Sequence, residues 1–289
     1  MSVAIERLDR KAWSQSSLWR LTEIPEPPET LYYQGTLPSV DCTLISVVGS
    51  RQYTRYGREV TESLIAGLRN YNIGIISGLA LGIDGLAHHA ALDNNLYTLA
   101  IPGSGLDSSV LYPARHRRLA TRILENGGAL ISELSPTTRA AKWTFPQRNR
   151  IMAGLTEATL IIEAADRSGS LITARLATDY NREVLAVPGS IFSTQSVGTN
   201  RYIALGATPV TCSADIVEHL GLTPQTTPLP TPNLSPEQQT ILTTLIEPMD
   251  LDTLATKTNY PNAALQPLLM QLELQGHIYV AAGLYHRKI

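Results

Sequence analysis

Cysteine is nearly absent from the chain. Cys42 and Cys212 are the two it has among 289 residues, and they lie too far apart to form a CxxC pair. A disulfide framework and a zinc site are therefore excluded, and both thiols are expected to be small buried hydrophobes in a reducing compartment. Charge is also scarce. Charged residues make up 17% of the chain, the formal net charge is −2, and no long block of one sign occurs. That composition argues against a disordered protein, and against one that holds nucleic acid by bulk positive charge. Any site for a polyanion has to be a local patch. No uninterrupted apolar run approaches the roughly 18 residues needed to cross a bilayer. The N-terminal stretch mixes Glu6, Arg7, Asp9, Arg10 and Lys11 with apolar residues and holds no signal-length apolar segment. The expectation is a soluble cytoplasmic protein with no membrane partner.

The usual cofactor and catalytic signatures are missing as well. Gly49 is followed by Ser50 and Arg51, and the next glycine is Gly57, so no complete GxGxxG follows the first strand. There is no Walker lysine loop, no Gly-x-Ser-x-Gly elbow and no Asp-rich metal loop. His88 and His89 have no carboxylate or cysteine at ligand spacing, so they are expected on a helix surface, not on a metal. Glu163, at a strand end, is the best candidate acid, with Asn149 to orient a substrate, but the sequence shows no partner for either. Asp84 is expected to close a glycine loop or cap a helix. No cofactor, no metal and no catalytic residue follow from this pattern, and the chain is read as a non-enzyme.

What the chain does have is apolar bulk, 43% of residues, arranged as short solid runs alternating with amphipathic stretches. Strands are predicted at 43–48, 73–77, 96–101, 130–132, 158–163, 184–187 and 208–211, and helices at 57–71, 83–94, 114–126, 170–180 and 214–220. Solid apolar runs suit strands buried on both faces of a parallel sheet, and their alternation with helices predicts a doubly wound, mainly parallel, Rossmann-like α/β sheet. Ligands of such sheets sit at the carboxyl ends of the strands, where the winding reverses. Those ends carry Gly49-Ser50-Arg51, Gly78 through Gly85, Pro102 through Asp107, Ser168-Gly169-Ser170 and Pro188-Gly189-Ser190. Glycines there admit close approach of a ligand, and the amides of a following helix attract phosphate oxygens. Arg51 adds a fork of donors suited to phosphate, placed where the dipole of the first helix is expected to help hold an anion.

The cations are not spread evenly. Between Ala114 and Arg150 eight Arg or Lys face two acids, Glu125 and Glu133, a local balance of +6. Within that stretch Lys142, Trp143, Phe145, Arg148 and Arg150 combine positive charge with aromatic rings, the pairing an unpaired strand requires, because bases stack on rings while the backbone meets cations. Pro146 is expected to keep residues 142–150 from being a helix. The cluster at Arg115, Arg117, Arg118 and Arg122 is equally compatible with a salt-bridged helix.

Four segments are expected: a short N-terminal segment at 1–34, the α/β domain at 35–221, a Pro/Thr-rich linker at 222–234, and a small domain at 235–289. The last fits a winged helix. Ser235 caps a helix opened by Pro236, helices follow at 251–257 and 262–275, and a hairpin at 278–281 and 284–286 turns on Gly283, with Pro267 expected to kink the third helix. Its balance is −2, with Lys257, Arg287 and Lys288 against Glu237, Glu247, Asp250, Asp252 and Glu273. That charge favours a protein contact over duplex DNA.

These residues carry a resemblance. Val47-Val48-Gly49-Ser50-Arg51, Ser77-Gly78-Leu79-Ala80-Leu81-Gly82-Ile83-Asp84, Phe145-Pro146-Gln147-Arg148-Asn149-Arg150-Ile151, Ser168-Gly169-Ser170-Leu171-Ile172-Thr173-Ala174 and Val187-Pro188-Gly189 occur in order, and the match runs from Leu31 to Leu220. The chain resembles the DprA/Smf family of DNA-processing proteins. The resemblance implies an extended Rossmann-like domain that binds single-stranded DNA with little sequence preference. It also implies a homodimer that protects the strand and loads RecA onto it in natural transformation. Carried over, Arg51 and Lys142 become phosphate contacts and Phe145 a stacking ring, and Arg148, Asn149 and Arg150 line the same wall. Gly49, Ser50, Gly78, Ser168, Gly169 and Ser170 complete the expected DNA-binding set. Two departures stand out: the SAM-like N-terminal domain of many members is expected to be missing or vestigial, and Ala80-Leu81-Gly82 lacks the basic residue many relatives carry before that glycine. An alternative of another class is a nucleotide-processing enzyme such as a phosphoribohydrolase. Its Pro-Gly-Gly-x-Gly-Thr loop is not matched by Pro188-Gly189-Ser190. A purely structural, partner-recruiting protein is a third reading.

Overall fold

Seven of the strands follow from the apolar runs: β3 (Thr43–Val48), β4 (Ile73–Ser77), β5 (Tyr97–Ala100), β6 (Ala129–Ser132), β7 (Ala158–Ile161), β8 (Glu183–Ala186) and β9 (Thr208–Pro209). Two more, β1 (Glu6–Asp9) and β2 (Thr30–Gly35), come from the N-terminal stretch and were not expected there. Together they form one sheet in the order β1-β2-β6-β5-β4-β3-β7-β8-β9. It is parallel from β6 to β9, with register pairs such as Ile45↔Ile75 and Ile45↔Ala158, and β2 and β1 add antiparallel strands at one edge. The computed structural model describes residues 4–13, 16–224, 234–245, 247–274, 277–281 and 283–287. The expected linker lies outside the described residues from 225 to 233.

Alternation along β3 shows why its run is solidly apolar. Leu44 and Val48 join one buried cluster while Ile45 and Val47 join another on the opposite face. The helices α1 (Arg55–Ala66), α2 (Ile83–Asp93) and α7 (Ser213–His219) cover the second face through Leu64, Ile65, Ala87, Ala91 and Ile216. The first face is covered by α4 (Thr144–Leu155) and α5 (Ser170–Asp179), joined by Tyr202 of α6 (Val197–Ala204). An amphipathic α3 (Arg117–Glu125) packs Leu119, Ala120 and Ile123 against Ala100 and Leu130. The chain steps from β3 outward to β6, then returns to the other side of β3 with β7, so the winding reverses between β3 and β7.

Three expectations need correction here. The boundary placed after residue 34 runs through β2, and Trp13, Leu18, Leu21, Ile24 and Leu31 are buried in the same cluster as Ile151 and Met152 of α4. The N-terminal segment is thus part of the sheet and of the cover over α4. Residues 144–155 are a helix in spite of Pro146, which sits in the first turn, where its missing N–H leaves no hydrogen bond broken. Cys42 is buried as expected, but Cys212 is exposed where α7 begins.

By its contacts the chain divides into two units, Met1–Gln225 and Thr226–Ile289. The second contains α8 (Pro236–Thr244), α9 (Leu251–Thr258), α10 (Asn262–Leu274) and the hairpin β10 (Ile278–Ala281) and β11 (Leu284–Arg287) around a core that includes Ile241, Leu254, Leu265, Leu269 and Leu272. Ser235 and Gln238 form a reciprocal cap at the start of α8, and α10 runs unbroken through Pro267. Among the described residues no helix is long and apolar enough to cross a membrane.

Candidate functional site

A cavity of 590 Å³ opens where the winding reverses, at the carboxyl ends of β3 and β7. The loop after β3 supplies Gly49, Ser50 and Arg51, α4 supplies Phe145, Arg148 and Asn149, and the turn into α5 supplies Arg167, Ser168, Gly169 and Ser170. Local chemistry fixes each wall. The Ile83 amide donates to the Ser50 carbonyl at 3.1 Å, which ties the loop after β3 to the start of α2. Gly82 makes that approach possible: its φ is +95°, and a Cβ there would strike the Ser50 carbonyl and the Arg51 backbone. Thr144 donates to the Gly103 carbonyl at 2.6 Å and so anchors the first turn of α4 to the loop after β5. Gly103 in turn leaves room for the Phe145 ring.

The two elements singled out from the sequence meet at the mouth. The Arg51 guanidinium lies 5.5 Å from the centre of the Phe145 ring, and Tyr112 packs edge-on to the same ring at 5.6 Å. Arg51 is exposed and Phe145 half-buried. Lys142 is exposed three residues before Phe145 but is outside the cavity lining. At the opposite wall α5 starts on Gly169 with no side-chain cap and no acid in its first turn. The positive end of that helix, the Ser168 and Ser170 hydroxyls 2.7 Å apart, and exposed Arg167 form an anion-attracting edge. The buried Thr173 hydroxyl and the Gln195 side-chain oxygen also line the cavity and have no protein partner among the described residues.

Other expected site residues are already engaged by the protein itself. Arg148 is 8% exposed; its guanidinium donates to the carbonyls of Gly78 and Ile101 at the ends of β4 and β5, and to the Asn149 side chain at 3.0 Å. Burial lowers it to about 10, while neighbouring Asp84 holds it charged. Asp84 accepts from the Gly78 amide at 3.1 Å, closing the glycine loop as expected. Burial raises its carboxyl above the ordinary range against the pull of Arg148 and of the Ala80 and Gly78 amides. Gly78 itself is outside the lining, and a Cβ on it would collide with the Arg148 guanidinium. Arg150 points away from the cavity: it pairs with Glu133 at 2.5 Å and donates to the Glu26 carbonyl. It therefore does not share a wall with Arg148 and Asn149.

Two more expectations fail on burial. Glu163 is buried with both oxygens engaged by Thr54, accepting from its amide at 2.9 Å and its hydroxyl at 2.6 Å. It is the anion at the start of α1, so that helix dipole does not serve a ligand beside Arg51. His88 is buried rather than on a helix surface, with Nδ1 2.7 Å from the Thr98 hydroxyl, and burial lowers it to about 3. Among the described residues no cluster of His, Cys, Asp and Glu could hold a metal ion. Sequence reading missed Arg167, Gln52, Thr173 and Gln195. Arg167 was the accessible one, since it immediately precedes Ser168-Gly169-Ser170.

Compared with known proteins, residues 8–221 match the family model of DNA recombination-mediator protein A, and residues 225–283 match that of the DprA winged helix domain. Protein Smf of Escherichia coli (strain K12) is 38% identical over 270 residues, which is 90% of this chain and 72% of that one. DNA processing protein DprA of Streptococcus pneumoniae is 43% identical over 199 residues, 69% of each chain. The X-ray structure of DNA processing protein A from Streptococcus pneumoniae aligns with a TM-score of 0.68 at 38% identity over 74% of both chains. That of DNA processing protein A from Helicobacter pylori, solved for its single-stranded DNA binding mode, aligns with a TM-score of 0.66 at 26% identity, over 76% of this chain and 98% of that one.

Proposed function

The chain belongs to the family of DNA recombination-mediator protein A, and from that premise we propose that it binds single-stranded DNA with little sequence preference in the cavity between β3 and β7. The observation that carries this is the Arg51 guanidinium set 5.5 Å over the Phe145 ring at the cavity mouth. A base can stack on the ring while its phosphate meets the fork of donors, and every base has a face to stack. The lining charges are Arg51, Arg148 and Arg167 against Asp84. Since Asp84 and Arg148 offset each other, the cavity is left positive by two. Lys142, just outside, adds a further phosphate contact. Phosphates inside are met by Arg167 and by the Ser168 and Ser170 hydroxyls at the positive end of α5.

The Helicobacter pylori relative supports the single-strand binding, and family membership supports the rest of the reading: the bound strand is protected, the working form is a homodimer, and RecA is loaded onto the strand during natural transformation. No step requires the protein to make or break a covalent bond. The test is a gel-shift series with single-stranded and duplex DNA at two salt concentrations, with and without RecA. Single strands should be retained in preference to duplex, with retention falling as salt rises. Arg51→Ala and Lys142→Ala should weaken binding on every sequence alike. Equal retention of duplex, or unchanged affinity in both variants, would remove the cavity as the binding site. Release of free base from nucleoside monophosphates would instead favour the nucleotide-processing enzyme.

A further inference from the structure

Outside the cavity, the four arginines that begin at Arg115 fall into two kinds. Arg117 donates to the Ser109 carbonyl at 2.8 Å, and Arg122 is held by His89 at 3.0 Å and Asp93 at 3.2 Å. Arg115 and Arg118 are exposed and have no ion pair or hydrogen bond through their side chains among the described residues. They stand three residues apart across the short 3-10 turn Ala114–His116 and the first turn of α3, so they share one face. That turn is fixed beside the cavity. His116 Nδ1 lies 2.8 Å from the Leu79 carbonyl, one residue before Ala80 of the lining, and its ring fills the space over Gly85. Tyr112, three residues before Arg115, is 44% exposed while its ring touches the edge of Phe145. Arg51 and Tyr112 thus both meet the Phe145 ring, and Arg115 and Arg118 follow Tyr112 in the chain on the turn that His116 ties to the cavity's loop.

We propose that this ridge is an outer subsite for the same single strand: a nucleotide leaving Phe145 stacks on Tyr112, and the phosphates that follow run along Arg115 and Arg118. The inference rests on the single-strand reading of the cavity. It accounts for why two exposed cations that follow Tyr112 in the chain have no ion pair among the described residues, and it makes the footprint longer than the cavity.

The test uses the full chain with oligothymidylates of about 5 and about 20 nucleotides, the first able to fill the cavity and the second able to reach beyond it. Arg115→Gln with Arg118→Gln should leave the short oligomer bound as in the parent. The long one should lose about tenfold in affinity, with the slope of log affinity against log salt shallower by about 1.4, or about 0.7 for each phosphate contact removed. Tyr112→Leu should lower affinity for the long oligomer and spare the short one. Both arginines are at the surface, so that variant folds even if Tyr112→Leu does not. An unchanged long-over-short advantage and an unchanged salt slope in the double variant would overturn the outer subsite while leaving the cavity intact. Failure of the parent chain to retain either oligomer would overturn the cavity reading and the subsite with it.

Discussion

The floor and the rim of the cavity are built from the same residue types to opposite ends. On the floor, Arg148 and Asp84 are buried, and every bond they make is to the protein: strand-end carbonyls, loop amides and the Asn149 side chain. On the rim, Arg51 and Arg167 are exposed, and the Arg51 guanidinium lies over the Phe145 ring. A cation on the floor holds the loops in place, while a cation on the rim is free for a ligand. Counting arginines in a sequence merges the two roles, whereas burial and partners separate them.

The sharpest way to break this comparison is Arg148→Met. It leaves the Asp84 carboxylate buried without its compensating cation, and the Gly78 and Ile101 carbonyls without their donor. Stability should fall by about 3–5 kcal/mol, read from urea unfolding. A stable Arg148→Met protein that no longer held single strands would return Arg148 to the role of a phosphate contact.

Behind the floor, His88 of α2 supplies a pH signature. Its folded value is lowered to about 3 from the ordinary 6.5 by burial. The stability it permits is complete above about pH 6.5 and is lost as pH falls, because only the unfolded chain takes up the proton. Between pH 6.5 and pH 5 the loss should be about 2 kcal/mol, at 1.36 kcal/mol per pH unit. A His88→Gln variant, able to keep a bond to Thr98, should unfold with a flatter dependence over that window. Equal slopes in the two proteins would show that His88 accepts a proton in the folded state.

On the rim the pattern reverses. Arg51→Ala should leave the unfolding midpoint within about 0.5 kcal/mol of the parent and lower single-strand affinity about tenfold, or 1.4 kcal/mol. A loss of stability as large as that of Arg148→Met would erase the distinction between the two regions.

Much of this frame was legible beforehand. A strand buried on both faces has to be solidly apolar, and β3, β4 and β7 say so in their composition. Arg51 and Phe145 both stand in segments that the sequence singles out, and they meet at the cavity mouth, whereas strand order, which sets where the winding reverses, does not show in composition. Partnerships at long range were not legible. Arg148 reaches a carbonyl 70 residues away, Arg150 an acid 17 residues away, and Glu163 a cap 109 residues away. Local pattern carries no trace of such pairings. Pro146 misled because a proline in the first turn of a helix breaks no hydrogen bond. The strand pair β1 and β2 was missed because short strands rich in polar residues lack the solid apolar runs of the central ones.

The second unit extends the comparison to a surface with neither floor nor rim of this kind. Its helix α10 exposes Met270 and Leu274, and the hairpin exposes Tyr279 and Val280. Among the described residues its cations are Lys257 at the end of α9 and Arg287 at the end of β11, and the Arg287 guanidinium donates to the Leu242 carbonyl at 3.0 Å. Neutralising phosphates takes cations that are free to move to them, and α10 has none. The pair Met270→Gln and Leu274→Gln should therefore leave single-strand affinity within about twofold of the parent and the salt slope unchanged, because no counterion-releasing group has been touched. A tenfold loss in that variant would mean that bases stack on this unit too, and that the free cations of the larger unit are not the whole of the site.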